Sequence, residues 1–503
     1  MMQHIVVFPI LFPLFSALLL LLPPCGKSVK ARRFASVGLA AISLIINICL
    51  LSHVLDIGTL TYAIGNWQAP FGIVLHADLL AVTLTCLASF LSLCCIVYSC
   101  AGDDAKGSFF HPLVHFLLMG VCGAFLTGDL FNLFVFFEVL LIASYSLLMH
   151  AADKHNTRGA LHYVILNLVG SAIFLIALGT MYGVLGSLNI QDVAARISQL
   201  TNDDVSLAKI GGSLLLIVFA LKAALLPLHM WLPNTYSNAM PVVAALFAIM
   251  TKVGVYSIIR VYNSIFSPGS GPLGAMGQDV LWFAALATIV VGTIGVLASK
   301  DLRKLVANLI VVSAGTLIAL VSLQQMQATA AAIYYLIHST LVCAALFLCV
   351  DLIASQRGKV ADRITTGRPV KQGLLIGVVF FAAALAVIGM PPLSGFVGKI
   401  WILKATYQQG DYALFWPIYL VASLLILVGV TRAGSIVFWQ NTSKDIDKID
   451  VKPIHKFKVW AVYILAGVSP FMVIFAKPIT DFCLQAAMQI HQNPAVTQLT
   501  GGL

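Results

Sequence analysis

Long apolar segments dominate this chain, and short polar stretches separate them. Each apolar segment is close to the ~20 residues that a helix needs to cross a bilayer. The segments are continuous and lack the ten-residue alternation of membrane β-strands. The pattern therefore predicts an all-α polytopic membrane protein with about fourteen transmembrane helices. The predicted spans are 4–24, 34–55, 74–100, 109–127, 130–150, 160–186, 208–230, 239–264, 279–299, 304–324, 328–353, 372–406, 412–439 and 458–480.

Two stretches between the spans have a pattern of their own. Residues 56–73 place Gly58, Gly65, Pro70 and Gly72 among Thr, Tyr and Trp, which predicts a turn-rich hairpin at the outer membrane interface. Residues 190–205 are polar, and we expect a short surface helix there.

The composition supports a membrane protein and excludes several other classes. Of 503 residues, 60% are hydrophobic and only 10% are charged, and mean hydropathy is +0.98. A soluble domain carries roughly 25% charged residues, so a cytosolic enzyme, a nucleic-acid-binding protein and a disordered chain are excluded. The ten cysteines lie mostly in apolar spans and show no metal-ligand spacing. We therefore expect neither a metal nor a cofactor.

The net charge of +10 comes mainly from alternate loops. Basic residues crowd segments 27–33, 357–371 and 444–458. The loops on the opposite side of the membrane, together with the tails, are counted as holding only Arg196, Lys209, Arg260 and Lys477. Because cytoplasmic loops are enriched in Lys and Arg, both termini are predicted to lie on the periplasmic or outer side of a bacterial cytoplasmic membrane.

Five ionisable residues lie well inside predicted spans: Glu138, Lys222, Lys252, His338 and Lys399. Burying one charge in hydrocarbon costs ~2.5–3.5 kcal/mol on insertion scales, so such residues usually mark a functional path. Burial disfavours the charged form of lysine and glutamate, which suits proton relay. At an assumed 4 Å separation and a dielectric of about 20, Glu138 would hold Lys222 protonated with about 4 kcal/mol. The simpler alternatives are a purely structural Glu138–Lys222 pair and a His338 that only bonds a carbonyl.

Prolines interrupt two of the spans that carry these lysines. Pro227 follows Lys222, and Pro391-Pro392 precedes Lys399. Paired interrupted spans point to inverted repeats with a site at the bilayer midplane, where unwound backbone is tolerated only if it lines water. We therefore predict two inverted five-helix repeats. The expected units are 1–108, three helices with the outer hairpin; 109–265, the first repeat; 278–440, the second repeat; and 441–503, a cytoplasmic loop, the last helix and a tail.

Several motifs resemble one superfamily over nearly the whole chain. The run Phe136–Tyr145 around Glu138 resembles the fifth-helix motif of antiporter-like membrane subunits. Leu226–Pro233 and Thr251–Tyr256, which follow Lys222 and surround Lys252, are similar to its later motifs. That superfamily includes pumping subunits of respiratory NADH–quinone oxidoreductase and large subunits of Mrp-type Na⁺/H⁺ antiporters. Within it, Pro233–Asn238 and Ala244–Met250 look like the D-type component of Mrp antiporters, although Met240 stands where a small residue is usual.

The resemblance implies a function and a set of partners. It implies that Glu138, Lys222, Lys252 and Lys399 are the functional charges, with His338 as a linker and His229 near an access channel. It implies a transporter subunit that passes H⁺ and exchanges it for a cation, expected to be Na⁺. Subunits of the A, B, C, E, F and G types and the lipid bilayer would surround it, and no nucleic acid is expected.

Other functions remain open at this point. A proton-pumping subunit, M- or N-like, of a respiratory NADH–quinone oxidoreductase or a membrane-bound hydrogenase would use the same path with redox drive. A self-contained solute carrier would require two six-helix halves, which the span count disfavours. A membrane enzyme would require a nucleophile–base motif, a metal cluster or a phosphate-binding loop, and no such motif supports one.

Overall fold

The computed structural model describes residues 2–67, 69–107, 109–150, 154–200, 202–408, 410, 412–440 and 453–491. Within these ranges twelve helices are long and apolar enough to cross a membrane, and two shorter apolar helices accompany them. The predicted all-α polytopic membrane class is confirmed. The count of about fourteen and the inverted repeats stay predictions. The predicted loop at 441–452 and tail at 492–503 lie outside the described residues.

The first half of the chain forms eight α-helices and one two-stranded hairpin. The helices are α1 (Phe8–Leu21), α2 (Val29–Ile57), α3 (Leu79–Ser99), α4 (Phe110–Leu126), α5 (Leu130–Met149), α6 (Lys154–Leu185), α7 (Ile190–Ile197) and α8 (Asn202–Ala223). The strands β1 (Leu60–Ala63) and β2 (Val74–Ala77) pair antiparallel between α2 and α3. The strand β1 and the helix α7 lie where the sequence predicted a hairpin and a surface helix, whereas β2 occupies the first residues of the predicted span 74–100.

The second half adds eleven described helices. They are α9 (Trp231–Asn238), α10 (Pro241–Phe247), α11 (Met250–Ser264), α12 (Gln278–Ala298), α13 (Leu302–Ser322), α14 (Met326–Arg357), α15 (Gly373–Ile388), α16 (Ser394–Tyr407), α17 (Tyr412–Trp439), α18 (Lys456–Ile474) and α19 (Ala476–His491). Short 3₁₀ turns occur at Met2–Val7, Ile64–Asn66, Asp103–Lys106, Leu228–Met230, Gly271–Leu273 and Gly358–Val360.

Polar side chains cap several helices at the membrane boundary. Asp78 accepts a hydrogen bond from the Ala81 amide at 2.8 Å, and Asp129 accepts one from the Asn132 amide at 2.8 Å. The first amides of a helix have no partner within the helix, and a carboxylate or amide side chain satisfies them. These caps fix where α3 and α5 begin, and Asn189 caps α7 in the same way.

Three helix pairs arise from interrupted spans. The interval between α8 and α9 contains Pro227, and the interval between α15 and α16 contains Pro391 and Pro392. The third interruption separates α10 from α11 at residues 248–249, where the sequence predicted one continuous span. Lys252 therefore lies in the first turn of a new helix and not in mid-helix.

The most buried helices form the centre of the bundle. The most apolar 18 residues of Pro241–Ser264 and of Leu302–Ser322 are entirely buried, whereas only 28% of the corresponding stretches of Val29–Ile57 and Lys456–Ile474 are buried. A helix that is apolar on all sides is suited to such a central position. Thus α10, α11 and α13 make up the core, and α2 and α18 present apolar surface to lipid or to other proteins.

One end of the bundle carries the β-hairpin, α7 and α19, and we refer to it as the hairpin face. The sequence did not predict α19, which packs against α3, α11 and α14. Gln489 Oε1 accepts a hydrogen bond from the Leu79 amide at 2.9 Å, and His491 Nε2 lies 2.9 Å from Thr329 Oγ1. These bonds hold α19 across the ends of α3 and α14.

Arg260 belongs to the span predicted over 239–264, and counting its charge with the outer loops was wrong. Arg260 is near the end of α11 and is only 7% exposed. Its guanidinium donates two hydrogen bonds to Asp78, at 2.6 and 2.8 Å. The bidentate carboxylate supplies the counter-charge that makes this position tolerable inside the protein.

Candidate functional site

The five predicted residues form a row across the bundle and not one cluster. Glu138 is on α5, Lys222 on α8, Lys252 on α11, His338 on α14 and Lys399 on α16. Neighbouring helices pack in that order, with α6 between α5 and α8, and α13 between α11 and α14. The structure therefore places protonatable side chains at successive stations through the protein.

Glu138 and Lys222 do not form the direct ion pair that the sequence suggested. The Ser171 hydroxyl donates to Glu138 Oε1, and Lys222 Nζ donates to Asn167 Oδ1 at 2.8 Å. Asn167 and Ser171 are one turn apart on α6, so they project from the same side of that helix. The physical reason for the error is the position of α6, which supplies a neutral partner to each of the two groups.

Lys222 and Lys252 lie on helices that approach each other very closely. A Cβ added to Gly254 would lie 2.5 Å from the Ala223 amide nitrogen and 2.7 Å from the Lys222 carbonyl carbon. Only glycine permits this approach of the α11 backbone to the end of α8. Gly254, two residues after Lys252, therefore sets the spacing of the two lysine-bearing helices.

Lys252 is completely buried and has a neutral partner. Its ammonium donates to Ser313 Oγ on α13 at 2.9 Å. Because Lys252 follows closely after the interruption at 248–249, its position depends on the short helix α10 that precedes it. The hydroxyl can accept from an ammonium and can donate to a neutral amine, so both protonation states of Lys252 retain a hydrogen bond.

His338 bridges to the second proline-containing interruption. Its Nδ1 lies 2.7 Å from Ser394 Oγ, and Ser394 Oγ lies 2.8 Å from Ser469 Oγ on α18. Ser394 is the first residue of α16, so the imidazole contacts the helix end that follows Pro391-Pro392. The predicted alternative, a histidine bonded only to a carbonyl, does not describe this hydroxyl chain.

Lys399 is further along α16 and is partly buried. Its Nζ donates to Ser423 Oγ on α17 at 2.5 Å and lies 5.4 Å from the centre of the Tyr419 ring. Lys399, Ser423 and Tyr419 line a small cavity of about 20 Å³. A space of this size is about enough for one water molecule.

The interruption at Pro227 is stabilised by neighbouring polar groups. Thr288 Oγ1 accepts from the Leu226 amide at 2.9 Å, and Trp231 Nε1 donates to the Leu221 carbonyl at 3.0 Å. Pro227, Pro391 and Pro392 are exposed. The hydrogen bonds made by Thr288 and Trp231 satisfy backbone groups that have no partner within the interrupted helix, as a membrane-spanning segment requires.

His229 is half-buried in the Leu228–Met230 turn. Its Nδ1 is buried and makes no hydrogen bond to described protein atoms. The access role that the resemblance implied for His229 stays a prediction.

The three lysines share an electrostatic feature. Within the described ranges, no carboxylate forms an ion pair with Lys222, Lys252 or Lys399. The described residues also hold no group of three or more His, Cys, Asp or Glu that could bind a metal ion. Each lysine instead bonds to an amide or hydroxyl oxygen, so no direct ion pair locks it in the protonated form.

Sequence reasoning missed the residues that partner these charges. They are Asn167, Ser171, Ser313, Ser394, Ser423 and Ser469. The available signal was weak, because isolated serines are common in membrane helices and often bond to their own backbone. Only the pair Asn167 and Ser171 showed a pattern, namely two polar positions one turn apart in an apolar span.

A membrane bundle with interrupted helices and a row of buried lysines defines the class of antiporter-like membrane subunits. Residues 127–428 match the family described as "NADH:quinone oxidoreductase/Mrp antiporter, TM". The chain belongs to this family, and the resemblance inferred from the motifs is confirmed.

Individual relatives agree with this assignment. The chain is 38% identical to the D component of an Na(+)/H(+) antiporter of Bacillus subtilis, over 90% of each chain. It is 34% identical to the D component of a probable K(+)/H(+) antiporter of Rhizobium meliloti, over 95% of this chain and 94% of the relative.

Solved structures show the same fold. A chain of the Mrp complex from Dietzia sp. DQ12-45-1b superposes with a TM-score of 0.86 at 25% identity, covering 99% of both chains. A chain of respiratory complex I from Thermus thermophilus gives a TM-score of 0.79 at 21% identity, over 98% of this chain and 99% of that one, which shows shared fold alone.

Proposed function

We propose that this protein is the proton-translocating D-type component of a multisubunit Na⁺/H⁺ antiporter. Protons would pass along Glu138, Lys222, Lys252, His338 and Lys399. Relatives over most of the chain are named as D components of Na⁺/H⁺ or K⁺/H⁺ antiporters, which supports exchange of a monovalent cation for protons. The protein would act as a transporter subunit and not as an enzyme.

The observation that carries the proposal is the bonding of the three lysines. Lys222, Lys252 and Lys399 each donate to a neutral oxygen, at 2.8, 2.9 and 2.5 Å. A lysine held only for structure would gain most from a carboxylate, because an unpaired buried charge is costly. A neutral partner serves the ammonium and the amine alike, which is what a residue needs if it gains and loses a proton in each cycle.

The two ends of the row differ in their surroundings. Glu138 is partly exposed on α5, beside the exposed apolar residues Val135 and Ile142. Lys399 adjoins the small cavity next to Ser423. We propose that Glu138 receives protons at the rim of the bundle, near a neighbouring subunit, and that Lys399 is the last station before water.

The setting we propose is the bacterial cytoplasmic membrane, in a complex with subunits of the A, B, C, E, F and G types. Both termini, and therefore the hairpin face, would be on the outer side, as the distribution of basic loops indicates. The broad apolar surface of α2 and α18 supports contacts with lipid and with small membrane subunits.

The test is Na⁺-dependent proton movement in everted vesicles that contain the whole complex. Glu138→Ala should lower exchange at least tenfold while the complex still assembles, because it removes the acid at the start of the row. Asp192→Ala is the control, since Asp192 lies on the surface helix α7 and pairs with Arg196. Normal exchange by Glu138→Ala would refute the proposed role of this residue.

A pumping subunit of a respiratory or hydrogenase-type complex is the second candidate, favoured by the fold shared with complex I. Redox drive requires flavin or iron–sulfur subunits in the same assembly. The absorbance spectrum of the purified complex separates the two functions. We expect no flavin or iron–sulfur bands, and stoichiometric bands would establish the alternative.

A further inference from the structure

A cavity of about 320 Å³ opens on the hairpin face. Its wall is made by Thr61 and His76 of the β-hairpin, Asn189 and Gln191 at the start of α7, and Gln489 of α19. Thr61 and Gln191 are exposed, so the cavity is open at its mouth. Hydroxyl, amide and imidazole groups line it together with several apolar side chains, and the polar groups can retain water.

The floor of the cavity is a buried ion pair. Arg260 lines the cavity and is bonded twice to Asp78, at 2.6 and 2.8 Å, while His76 Nε2 lies 3.7 Å from the same carboxylate. Burial, reinforced by the charge of Arg260, lowers the pKa of His76 to about 4. His76 is therefore neutral at pH 7, and Asp78 offsets the charge of Arg260, so the wall does not repel a hydrated proton.

A polar stripe on α11 leads from this floor to the row of lysines. Lys252, Tyr256 and Arg260 are spaced four residues apart, so they follow one another along one side of the helix. Arg260 Nε donates to the Tyr256 hydroxyl at 3.1 Å, and that hydroxyl donates to the Phe125 carbonyl at 2.5 Å. Eight residues of helix rise by about 12 Å, so Lys252 and Arg260 are about two turns apart with Tyr256 between them.

We propose that this cavity is the aqueous opening of the proton path on the outer side, joined to Lys252 through Tyr256 and closed at its floor by the Arg260–Asp78 pair. The proposal rests on the proposed antiport function and adds a second connection to water, distinct from the Lys399 end. Protons would exchange between Lys252 and cavity water when the ion pair shifts aside.

Thiol labelling of the cavity mouth tests the opening. Thr61→Cys and Gln191→Cys would each be made with the exposed Cys49 replaced by Ser, and intact cells would be treated with a membrane-impermeant cationic methanethiosulfonate. Everted vesicles are then assayed for Na⁺/H⁺ exchange. Lys477→Cys is the control, because Lys477 is exposed on α19 and does not line the cavity.

We expect both cavity cysteines to react from outside and exchange to fall at least fivefold on labelling, with the Lys477→Cys control unaffected. Failure of both cysteines to react, or full exchange after complete labelling, would overturn the proposal. If the unlabelled parent complex shows no exchange, the proposed function itself fails. If the parent exchanges and labelling has no effect, only the cavity proposal fails.

The link through α11 is tested with a matched pair of tyrosines. Tyr256→Phe removes the hydroxyl next to Arg260, whereas Tyr262→Phe removes another buried α11 hydroxyl, which donates to the Gly212 carbonyl at 3.0 Å. We expect Tyr256→Phe to slow exchange at least tenfold and Tyr262→Phe to change it less than twofold in complexes of equal assembly. Equal rates for the two variants would exclude Tyr256 from the path.

Discussion

Replacing Asn167 by Asp should lock a proton on Lys222. Asn167 Oδ1 accepts from Lys222 Nζ at 2.8 Å, so the isosteric change puts a carboxylate at contact distance from the ammonium. Two unit charges 2.8 Å apart attract by about 6 kcal/mol at an effective dielectric constant of about 20. If desolvation of the new carboxylate offsets half of this, about 3 kcal/mol remains, which slows proton release roughly 100-fold.

The assay is Na⁺-dependent dissipation of a preformed proton gradient in everted vesicles, with complex assembly checked on native gels. Asn47→Asp is a matched control. Asn47 is also buried in a membrane helix, and each of these two asparagines donates to the carbonyl four residues earlier, at 2.9 Å for Asn47 and 2.8 Å for Asn167. Unlike that of Asn167, the amide oxygen of Asn47 makes no hydrogen bond to described protein atoms.

We expect Asn167→Asp to retain about 1% of exchange, as the roughly 100-fold slowing requires, and Asn167→Ala to retain more. Assembled Asn47→Asp complexes should remain near the parent rate, because a buried carboxyl group without a partner cation stays neutral. The order of the Asp and Ala activities is more informative than their values, because a purely structural Asn167 would tolerate the isosteric Asp better than Ala. Parent-level exchange by an assembled Asn167→Asp complex would refute proton release at Lys222.

Further predictions concern the other stations, each measured in the same vesicles. Lys399→Ala should abolish exchange, while Lys399→Glu should keep a measurable fraction, because a carboxyl group beside the cavity also carries a proton. Equal activity of the two variants would remove Lys399 from the path. His338→Ala should be milder than Lys399→Ala, since water can replace the imidazole next to Ser394; complete loss would make His338 indispensable. Gly254→Leu should force α11 away from α8 at a cost of about 1–3 kcal/mol and lower the yield of assembled complex; normal yield would contradict the close approach.

Sequence reasoning was most successful where a single residue carries the signal. Pro227 and Pro391-Pro392 lie in helix interruptions because proline lacks the amide donor that a continuous helix needs. The interruption at 248–249, before Lys252, contains neither proline nor glycine, so no local signal marked it.

Contacts between residues far apart in the chain could not be predicted from the sequence. Arg260 was counted with the outer loops, and its pairing could not be inferred because its partner, Asp78, is 182 residues away at the start of another helix. The contact expected between Glu138 and Lys222 failed because hydropathy gives the depth of a residue but not which helix lies beside it. The α6 residues Asn167 and Ser171 occupy the positions that a direct pair would have required.

The central claim is that Lys222 must release its proton in every cycle, and Lys222→Arg tests it most directly. Arginine keeps the positive charge and a donor for Asn167, but its pKa above ~12 prevents deprotonation. Lys209→Arg is the control, being an exposed position on the same helix. We predict that assembled Lys222→Arg complexes show no Na⁺-dependent proton exchange while Lys209→Arg complexes exchange normally. Normal exchange by Lys222→Arg would contradict the account.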